Sequence, residues 1–159
     1  MGDTRTAAHV ALARQLRVLA ETRLLDPLEI LTGDDALVRP LRERIRADAE
    51  TWAAQLLGPD DRSARHAGAR LIGAFYPGDG PFEMPAEWWS TPLGQAVARR
   101  IGHPERAAVS YPVAAAMLGI TRQGVHDLVR RGKLDRDPGG GVTAASVQTR
   151  LLSRDDDRR

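Results

Sequence analysis

The stretch LGITRQGVHDLVRRGKL, residues 118–134, constrains the fold more than any other part of the chain. Gly119 supplies a residue that tolerates a positive φ, which the tight turn of a helix-turn-helix motif requires. Four residues earlier, the small side chain of Ala115 lets the two helices approach closely. Six residues later, Val125 is an aliphatic side chain that fills the angle between them. This spacing predicts a helix-turn-helix centred on Gly119.

The second helix of this motif is predicted over residues 121–131. Thr121 is its expected N-cap, because a hydroxyl at that position accepts hydrogen bonds from free backbone amides. We expect Val125, Leu128 and Val129 to point inward, which leaves a polar outward face. Asp127 lies on that outward face, where it would accept a hydrogen bond from a cytosine amino group or orient Arg130 or Arg131.

The side chains of the outward face suit the major groove of double-stranded DNA. Arg pairs with guanine and Gln with adenine, and the first turn of a recognition helix is the part that reaches base edges. Arg122 and Gln123 are therefore the predicted base contacts. The basic side chains near the end of the helix are predicted phosphate contacts, which position a protein without specifying sequence. The predicted DNA-binding residues are Thr121, Arg122, Gln123, His126, Arg130, Arg131 and Lys133.

The run SYPVAAAMLGITRQGVHDLVRRGKL, followed by GGGVTAASVQTRLL, resembles the winged helix-turn-helix of MerR-type and excisionase-like DNA-binding proteins. The resemblance covers about residues 109–152 and implies a two-helix reader, a small β-wing and a closing helix. The parts that it implies are a wing beginning at Lys133-Leu134, a tip at 137–141, a return strand at Val142 and a helix from Thr143 to about Leu152.

The chain departs from that family at two places. The expected wing tip lacks the basic residues often found there, and Arg136 is the nearest substitute. After Leu152 only the tail SRDDDRR follows, without the long dimerising coiled coil of MerR regulators. Sensing of metals or drugs is therefore not implied.

The residues before the motif are predicted to form helices that are separated by capping residues. Thr4 to Leu25 contains good helix formers and no Gly or Pro. We expect apolar residues of the third helix to share one face, namely Leu41, Ile45, Ala49, Trp52 and Leu56, with Pro40 at its start or at a kink. The predicted helix starts are Asp26, Asp34 or Asp35, Asp60 or Asp61, and Ser90-Thr91-Pro92. Gly102-His103-Pro104 is the predicted linker.

The three tryptophans leave two interpretations open. Trp52, Trp88 and Trp89 either pack in the core, where aromatic side chains contribute most, or line an interface or an effector pocket. The sequence does not separate these alternatives.

Composition narrows the function classes. Residues 1–109 carry 14 basic and 15 acidic side chains, whereas residues 110–159 carry nine basic and six acidic ones, so phosphate binding is expected in the C-terminal third. The chain has no cysteine, which excludes disulfides and thiolate metal sites. Because the N-terminus lacks the pattern of a signal peptide and no segment has about 20 apolar residues, we expect a soluble cytoplasmic, nucleoid-associated protein that does not enter a membrane.

Catalysis finds little support in the sequence. His9, His66, His103 and His126 are scattered, and none has a metal-ligand spacing such as HExxH. The run GGG at 139–141 precedes no GK[ST] and fits a hairpin tip better than a phosphate loop. We therefore expect neither an enzyme nor a cofactor.

The predicted fold is mainly α, with an N-terminal helical bundle at 4–103, a small winged helix-turn-helix domain at 109–152 and a charged tail at 153–159. The predicted function is sequence-specific binding of double-stranded DNA by a transcription regulator. A homodimer formed through the N-terminal helices is expected, since one small reader buries little surface. The alternatives are an excisionase-like or architectural accessory factor and a protein-interaction adaptor that keeps the fold without DNA. The sequence does not indicate whether the protein binds a small-molecule effector.

Overall fold

The computed structural model describes residues 2–156, which are mainly helical. The chain divides into two compact units between Pro77 and Gly78. In the described part of the chain, no helix is both long enough and apolar enough to cross a membrane.

The first unit is helical throughout. α3 packs against α1 and α4, and the facing sides of these helices supply a core that includes Leu16, Val38, Leu56 and Phe75. Its elements are α1 (Gly2–Ala20), a π-helical turn (Glu21–Leu25), α2 (Asp26–Thr32), α3 (Asp35–Leu57) and α4 (Asp61–Phe75).

α2 begins at Asp26, as predicted, but Asp26 does not act as its N-cap, and the helical backbone is not interrupted there. Asp26 keeps helical angles, and its backbone amide donates to the oxygen of Glu21, five residues earlier. One wider turn of this kind accommodates Pro27, which cannot donate a hydrogen bond and would crowd the carbonyl of Arg23 in a regular α-helix. The carboxylate of Asp26 instead receives a hydrogen bond from Arg42 Nη2 at 2.9 Å.

The other predicted starts in this unit are confirmed. Asp34 Oδ1 accepts from the amides of Ala36 and Leu37, and Asp60 Oδ1 accepts from Arg62. α3 starts five residues before Pro40, so that proline lies within the helix. The predicted apolar face of α3 is only partly correct: Ala49 and Leu56 are buried, Ile45 and Trp52 are half-buried, and Leu41 is 42% exposed.

The second unit combines helices with a small antiparallel sheet. β2 lies between β1 on one side, with Val109 opposite Val142, and an isolated bridge from Arg136 to Val142 on the other. α7 contacts α5, α6, α8 and α9. The elements are α5 (Ala86–Trp89), α6 (Pro92–Arg100), β1 (Ala108–Val109), α7 (Tyr111–Leu118), α8 (Arg122–Arg130), β2 (Val142–Thr143) and α9 (Ala144–Asp156).

The division of the chain does not coincide with the predicted boundary between 103 and 109. α5 and α6 pack against α7 and α9, so they belong to the C-terminal unit. The predicted linker 102–104 is part of this unit as well. His103 packs against the rings of Phe82 and Trp89, and Gln148 Nε2 of α9 donates to the carbonyl of Arg99 at 3.0 Å.

The closing helix is longer than predicted. α9 continues past Leu152 to Asp156, so the first four residues of the predicted tail 153–159 are helical. Arg154 explains part of the extension, because its Nη1 donates to the carbonyl oxygen of Leu118 at 2.7 Å and anchors the last turns of α9 to the end of α7. Residues 157–159 lie outside the described part of the chain.

Candidate nucleic-acid interface

The turn between α7 and α8 has the geometry that its glycine predicted. Gly119 has φ 63° and ψ 39°, in the left-handed region. Its amide donates to Ala116 at 3.3 Å, and the amide of Ile120 donates to Ala115 at 3.0 Å. These two bonds form a Schellman motif, which satisfies the last carbonyls of α7. Ala115 is buried, as the spacing predicted.

α8 begins at a side-chain cap. Thr121 is its N-cap, and Oγ1 accepts a hydrogen bond from the amide of Gly124 at 3.0 Å, which confirms the prediction. Gly124 has a packing role that the sequence did not reveal. A Cβ atom there would lie 3.3 Å from Ile120 Cδ1 and 3.4 Å from Thr121 Oγ1. The missing side chain therefore lets the turn fold closely over the start of the helix.

α8 has one apolar and one polar face. Val125 is completely buried, while Leu128 and Val129 are half-buried. The predicted inward face of α8 therefore points inward, but it is less deeply buried towards the C-terminal end of the helix. The side chains predicted to contact DNA lie on the exposed face. These exposed residues of the helix and its cap are Thr121, Arg122, Gln123, His126 and Arg130.

Asp127 organises the polar face. Its Oδ1 accepts a hydrogen bond from Arg130 Nη2 at 2.7 Å and lies 3.5 Å from Gln123 Nε2. Of the partners considered from the sequence, Arg130 rather than Arg131 is the one it orients. Both side chains of the ion pair are substantially exposed, at 73% for Arg130 and 42% for Asp127, so the bond positions the guanidinium without removing it from water.

His126 contacts the first helix of the pair. Its ring meets the ring of Tyr111 edge to face, with centroids 4.4 Å apart. Tyr111 is the first residue of α7, so this contact joins the start of α7 to the exposed side of α8. The imidazole of His126 therefore packs against Tyr111 within the unit, in addition to its predicted contact with DNA.

Two further predicted residues follow the end of α8. Arg131 is the C-cap residue and Lys133 follows Gly132, whose φ of 66° ends the helix. The amide of Lys133 donates to the carbonyl of Leu128 at 2.8 Å, which completes a second Schellman motif. The side chains of Arg131 and Lys133 are both exposed, so three basic side chains, with Arg130, cluster around this end of α8.

Residues 135–143 form a tight hairpin beside these helices. The amide of Thr143 donates to Asp135 at 2.9 Å, and that of Asp137 donates to Gly141 at 3.1 Å. At the tip, Asp137 Oδ2 accepts from the amide of Gly139 at 2.8 Å. Pairing begins at Asp135, two residues after the predicted start, because Leu134 is buried in the unit instead of extending the strand.

The hairpin has mixed charge. Arg136 is exposed on it, and the acidic residues Asp135 and Asp137 precede and follow it in the sequence. The carboxylate of Asp137 is occupied by the amide of Gly139, as in an Asx turn. The positive potential of this surface therefore comes mainly from α8 and the residues that follow it.

An aromatic cluster in the same unit was not predicted from the sequence. Trp88 and Trp89 are buried with their centroids 4.9 Å apart, and Phe82 meets both rings edge to face. His103 joins them, and burial lowers its pKa more than the nearby charge of Glu105 raises it. For Trp88 and Trp89 the core interpretation is correct. The one signal in the sequence was the density of aromatic residues between Phe82 and Trp89.

Trp52 also packs within its own unit, where it is half-buried and meets Phe75 edge to face with centroids 6.4 Å apart.

Among the side chains that the structure describes, those of residues 2–154, no three of His, Asp or Glu are grouped so that they could hold a metal ion.

Comparison with known proteins gives no relative. No family model matches the chain, and neither a curated protein nor a solved structure matches it. The function is therefore inferred from the residues themselves.

Proposed function

We propose that the protein binds double-stranded DNA sequence-specifically and regulates transcription, with residues 109–152 acting as a winged helix-turn-helix. α8 is the recognition helix in this proposal, and it enters the major groove with its N-terminal turn leading. In this role the protein acts on the nucleoid in the cytoplasm.

One observation carries the proposal: the first turn of α8 exposes Arg122 and Gln123 at a helix start that is held rigidly. Thr121 caps the helix, and the Schellman turn at Gly119 fixes its entry. Val125 anchors the opposite face in the core. A base-reading side chain needs a rigid support of this kind, because bidentate hydrogen bonds to a base edge tolerate little displacement.

The basic residues around the end of α8 support a phosphate-binding role. Arg130, Arg131 and Lys133 are exposed, and the ion pair with Asp127 leaves the side chain of Arg130 73% exposed. Contacts of this type supply most of the salt-dependent affinity of a DNA-binding protein. The hairpin at 135–143 would act as the wing and offers Arg136 as one further phosphate contact.

The first unit offers a surface for a second copy of the chain. Ile30 and Leu31, in the last turn of α2, are 82% and 84% exposed, and Leu37 and Leu41 on α3 are 50% and 42% exposed. We infer that they form a dimer contact, since one reader of this size buries only about 600–1,000 Å² on DNA, and a two-fold dimer doubles that area on a palindromic site.

The dimer is tested by sedimentation of the full chain and of the double variant Ile30→Glu/Leu31→Glu. Both side chains are exposed, so the variant should keep its fold. We expect the wild type to sediment as a dimer at micromolar concentration and the variant as a monomer. A wild-type monomer that binds DNA with full affinity would contradict the dimer.

DNA binding is tested by selecting duplexes from a random pool with the full chain. Fluorescence anisotropy then compares the enriched duplex with a scrambled one across a salt series. We expect preference for the enriched duplex and a logarithm of affinity that falls linearly with the logarithm of salt concentration. Arg70→Ala, which removes an exposed arginine of α4, is the control and should change neither quantity.

The other outcomes distinguish the alternatives. Enrichment of a phased array of sites, with a long footprint, would indicate an architectural accessory factor. No enrichment and no binding at about 50 mM salt would contradict DNA binding and favour a protein-interaction adaptor.

A further inference from the structure

The first unit contains a groove of about 250 Å³ between α1 and α3 that the proposed DNA-binding and dimer surfaces do not use. Ala13 of α1 and Ala49 of α3, which are both buried, form its floor. Their small side chains let the two helices pack closely and leave space between the longer side chains on either side. We call it the arginine groove, because Arg14, Arg17 and Arg46 line it.

The arginine groove collects positive charge from both helices. Arg14 and Arg17 lie one turn apart on α1, and Arg46 lies on α3. All three residues are exposed, so a ligand in solution can reach them. Val10 precedes Arg14 by four residues and therefore shares its face of α1, where its 59% exposed side chain adds an apolar contact.

These arginines lack the close carboxylate partners that other arginines of the unit have. Arg44 of α3, for example, pairs with a carboxylate at 3.0 Å. In the part of the chain that the structure describes, Arg14 and Arg17 form neither a hydrogen bond nor an ion pair. Arg46 is 3.5 Å from Glu43, and both side chains are more than half exposed, so this pair is weak.

The lining contains one carboxylate, and it already has a partner. Glu50 Oε2 lies 2.7 Å from His9 Nε2. Three basic side chains and one acidic side chain leave the groove with an excess of positive charge. Like charges one turn apart on a helix repel each other. An anion that contacts Arg14 and Arg17 together would therefore relieve a repulsion that the chain itself leaves in place.

We propose that the arginine groove binds a small ligand that carries two or three linked phosphate groups. Guanidinium groups bind phosphate through paired N–H donors, and a phosphate chain offers adjacent oxyanions to several arginines at once. A single carboxylate would engage one arginine and leave the repulsion between the others. This inference does not depend on DNA binding by α8.

The size of the groove agrees with such a ligand. Its volume lies just below the value of about 300 Å³ at which pockets for small molecules begin. A phosphate chain fits within it, and the group attached to that chain would extend over Val10.

The test is isothermal titration calorimetry of the full chain with inorganic triphosphate as the probe, at an ionic strength of about 0.15 M. We expect saturable binding of one triphosphate per chain. Sulfate at equal ionic strength should bind much more weakly, because it offers a single anionic group to the three arginines.

Three variants locate the binding site. Arg14→Gln/Arg17→Gln should weaken triphosphate binding at least about tenfold, since two charge-assisted contacts are lost. The matched control Arg62→Gln/Arg70→Gln removes two exposed arginines of α4 and should leave the affinity within about twofold. Glu50→Gln should tighten binding by about threefold, since it removes the one anion of the lining.

The basic end of α8 is a second surface that attracts phosphate, so Arg130→Gln/Lys133→Gln is a further control and should leave triphosphate affinity within about twofold. All the substituted side chains are exposed, and melting temperatures check folding. Arg14→Gln/Arg17→Gln should melt no lower than the wild type, because it relieves a repulsion.

Four results would overturn the proposal. They are no saturable binding of triphosphate, sulfate binding as tight as that of triphosphate, equal weakening in Arg14→Gln/Arg17→Gln and either control, and weakening in Glu50→Gln. If Arg14→Gln/Arg17→Gln kept its triphosphate affinity but lost affinity for a random-sequence duplex, these arginines would be DNA contacts, and the proposal would also be wrong.

Discussion

Asp127 holds Arg130 on the exposed side of α8, with Oδ1 and Nη2 2.7 Å apart and the residues separated by one helical turn. In the proposed complex with DNA, a carboxylate on this face of α8 would repel phosphate groups. Here it fixes the direction of a long side chain that would otherwise sample many rotamers. It also cancels part of the charge of that side chain, so in the proposed DNA complex the pair would limit nonspecific binding.

The first prediction concerns this pair. Asp127→Asn should raise affinity for all duplexes by about three- to tenfold at low salt and steepen the salt dependence by about one phosphate contact, because Arg130 is released and a repulsive charge is removed. Anisotropy in a salt series measures both. Asp48→Asn, which removes the partner of Arg44 in the first unit, is the control and should change neither. A selective loss of affinity for the enriched duplex would instead show that Asp127 reads a base.

The second prediction concerns Val125. Val125→Ala should lower the free energy of unfolding of the second unit by about 2 kcal/mol, because it leaves a cavity under α8. Denaturant unfolding of variants in a Trp52→Phe background, followed by tryptophan fluorescence, isolates this unit, since Trp88 and Trp89 are then the remaining tryptophans. Arg122→Ala, an exposed position on the same helix, should stay within about 0.5 kcal/mol of the wild type. Equal losses in the two variants would contradict the assigned faces of α8.

The third prediction compares two glycines that have positive φ. Gly119→Ala should cost about 1–2 kcal/mol, because φ is 63° and a Cβ there meets no atom within 4 Å. Gly141→Ala should cost more, since φ is 79° and its Cβ would also clash with the carbonyl of Val109. The same unfolding assay ranks them. The opposite order would contradict the close packing of β1 against the hairpin.

The fourth prediction concerns pH. Burial holds the pKa of His103 below its ordinary value of about 6.5, so the unfolded chain binds a proton first as pH falls. The stability of the second unit should therefore be unaffected by this group above about pH 7 and should decrease as pH falls from about 6.5 towards the lowered pKa. His103→Asn, whose amide oxygen can replace Nδ1 as an acceptor, should lose stability less steeply. The comparison uses the decrease in melting temperature from pH 7.5 to pH 5.5 in the wild type and in the variant. An equal decrease in the two proteins would contradict a partly buried, neutral imidazole at His103.

Local rules predicted the helix starts well. Asp34, Asp60, Thr91 and Thr121 all cap helices with their side chains, and Gly119 occupies the left-handed conformation that its turn requires. Each of these features depends on residues within a few positions, so the sequence is sufficient. α2 also begins at Asp26, as predicted, but Asp26 does not cap it, because a π-helical turn leads into this helix without a break.

Features that depend on distant residues escaped prediction. The stretch 102–104 has the composition of a linker, but His103 packs against Trp89, and Gly102 lies beside the side chain of Gln148. The sequence shows none of these long-range contacts. The unit boundary was misplaced for the same reason, since α5 and α6 pack against helices that follow residue 109. The exposed face of α8 was predictable because Val125, Leu128 and Val129 recur at helical spacing and together mark the inward face.

The central claim is that α8 reads bases through its first turn. The most direct test measures the affinity ratio between the enriched and scrambled duplexes at about 150 mM salt for the wild type, Arg122→Ala and Lys133→Ala. We predict that Arg122→Ala lowers this ratio by about 10- to 100-fold, since a bidentate base contact contributes roughly 1–3 kcal/mol of discrimination. Lys133→Ala should weaken both duplexes alike and leave the ratio unchanged. A ratio that Arg122→Ala leaves at its wild-type value would contradict base reading by this helix.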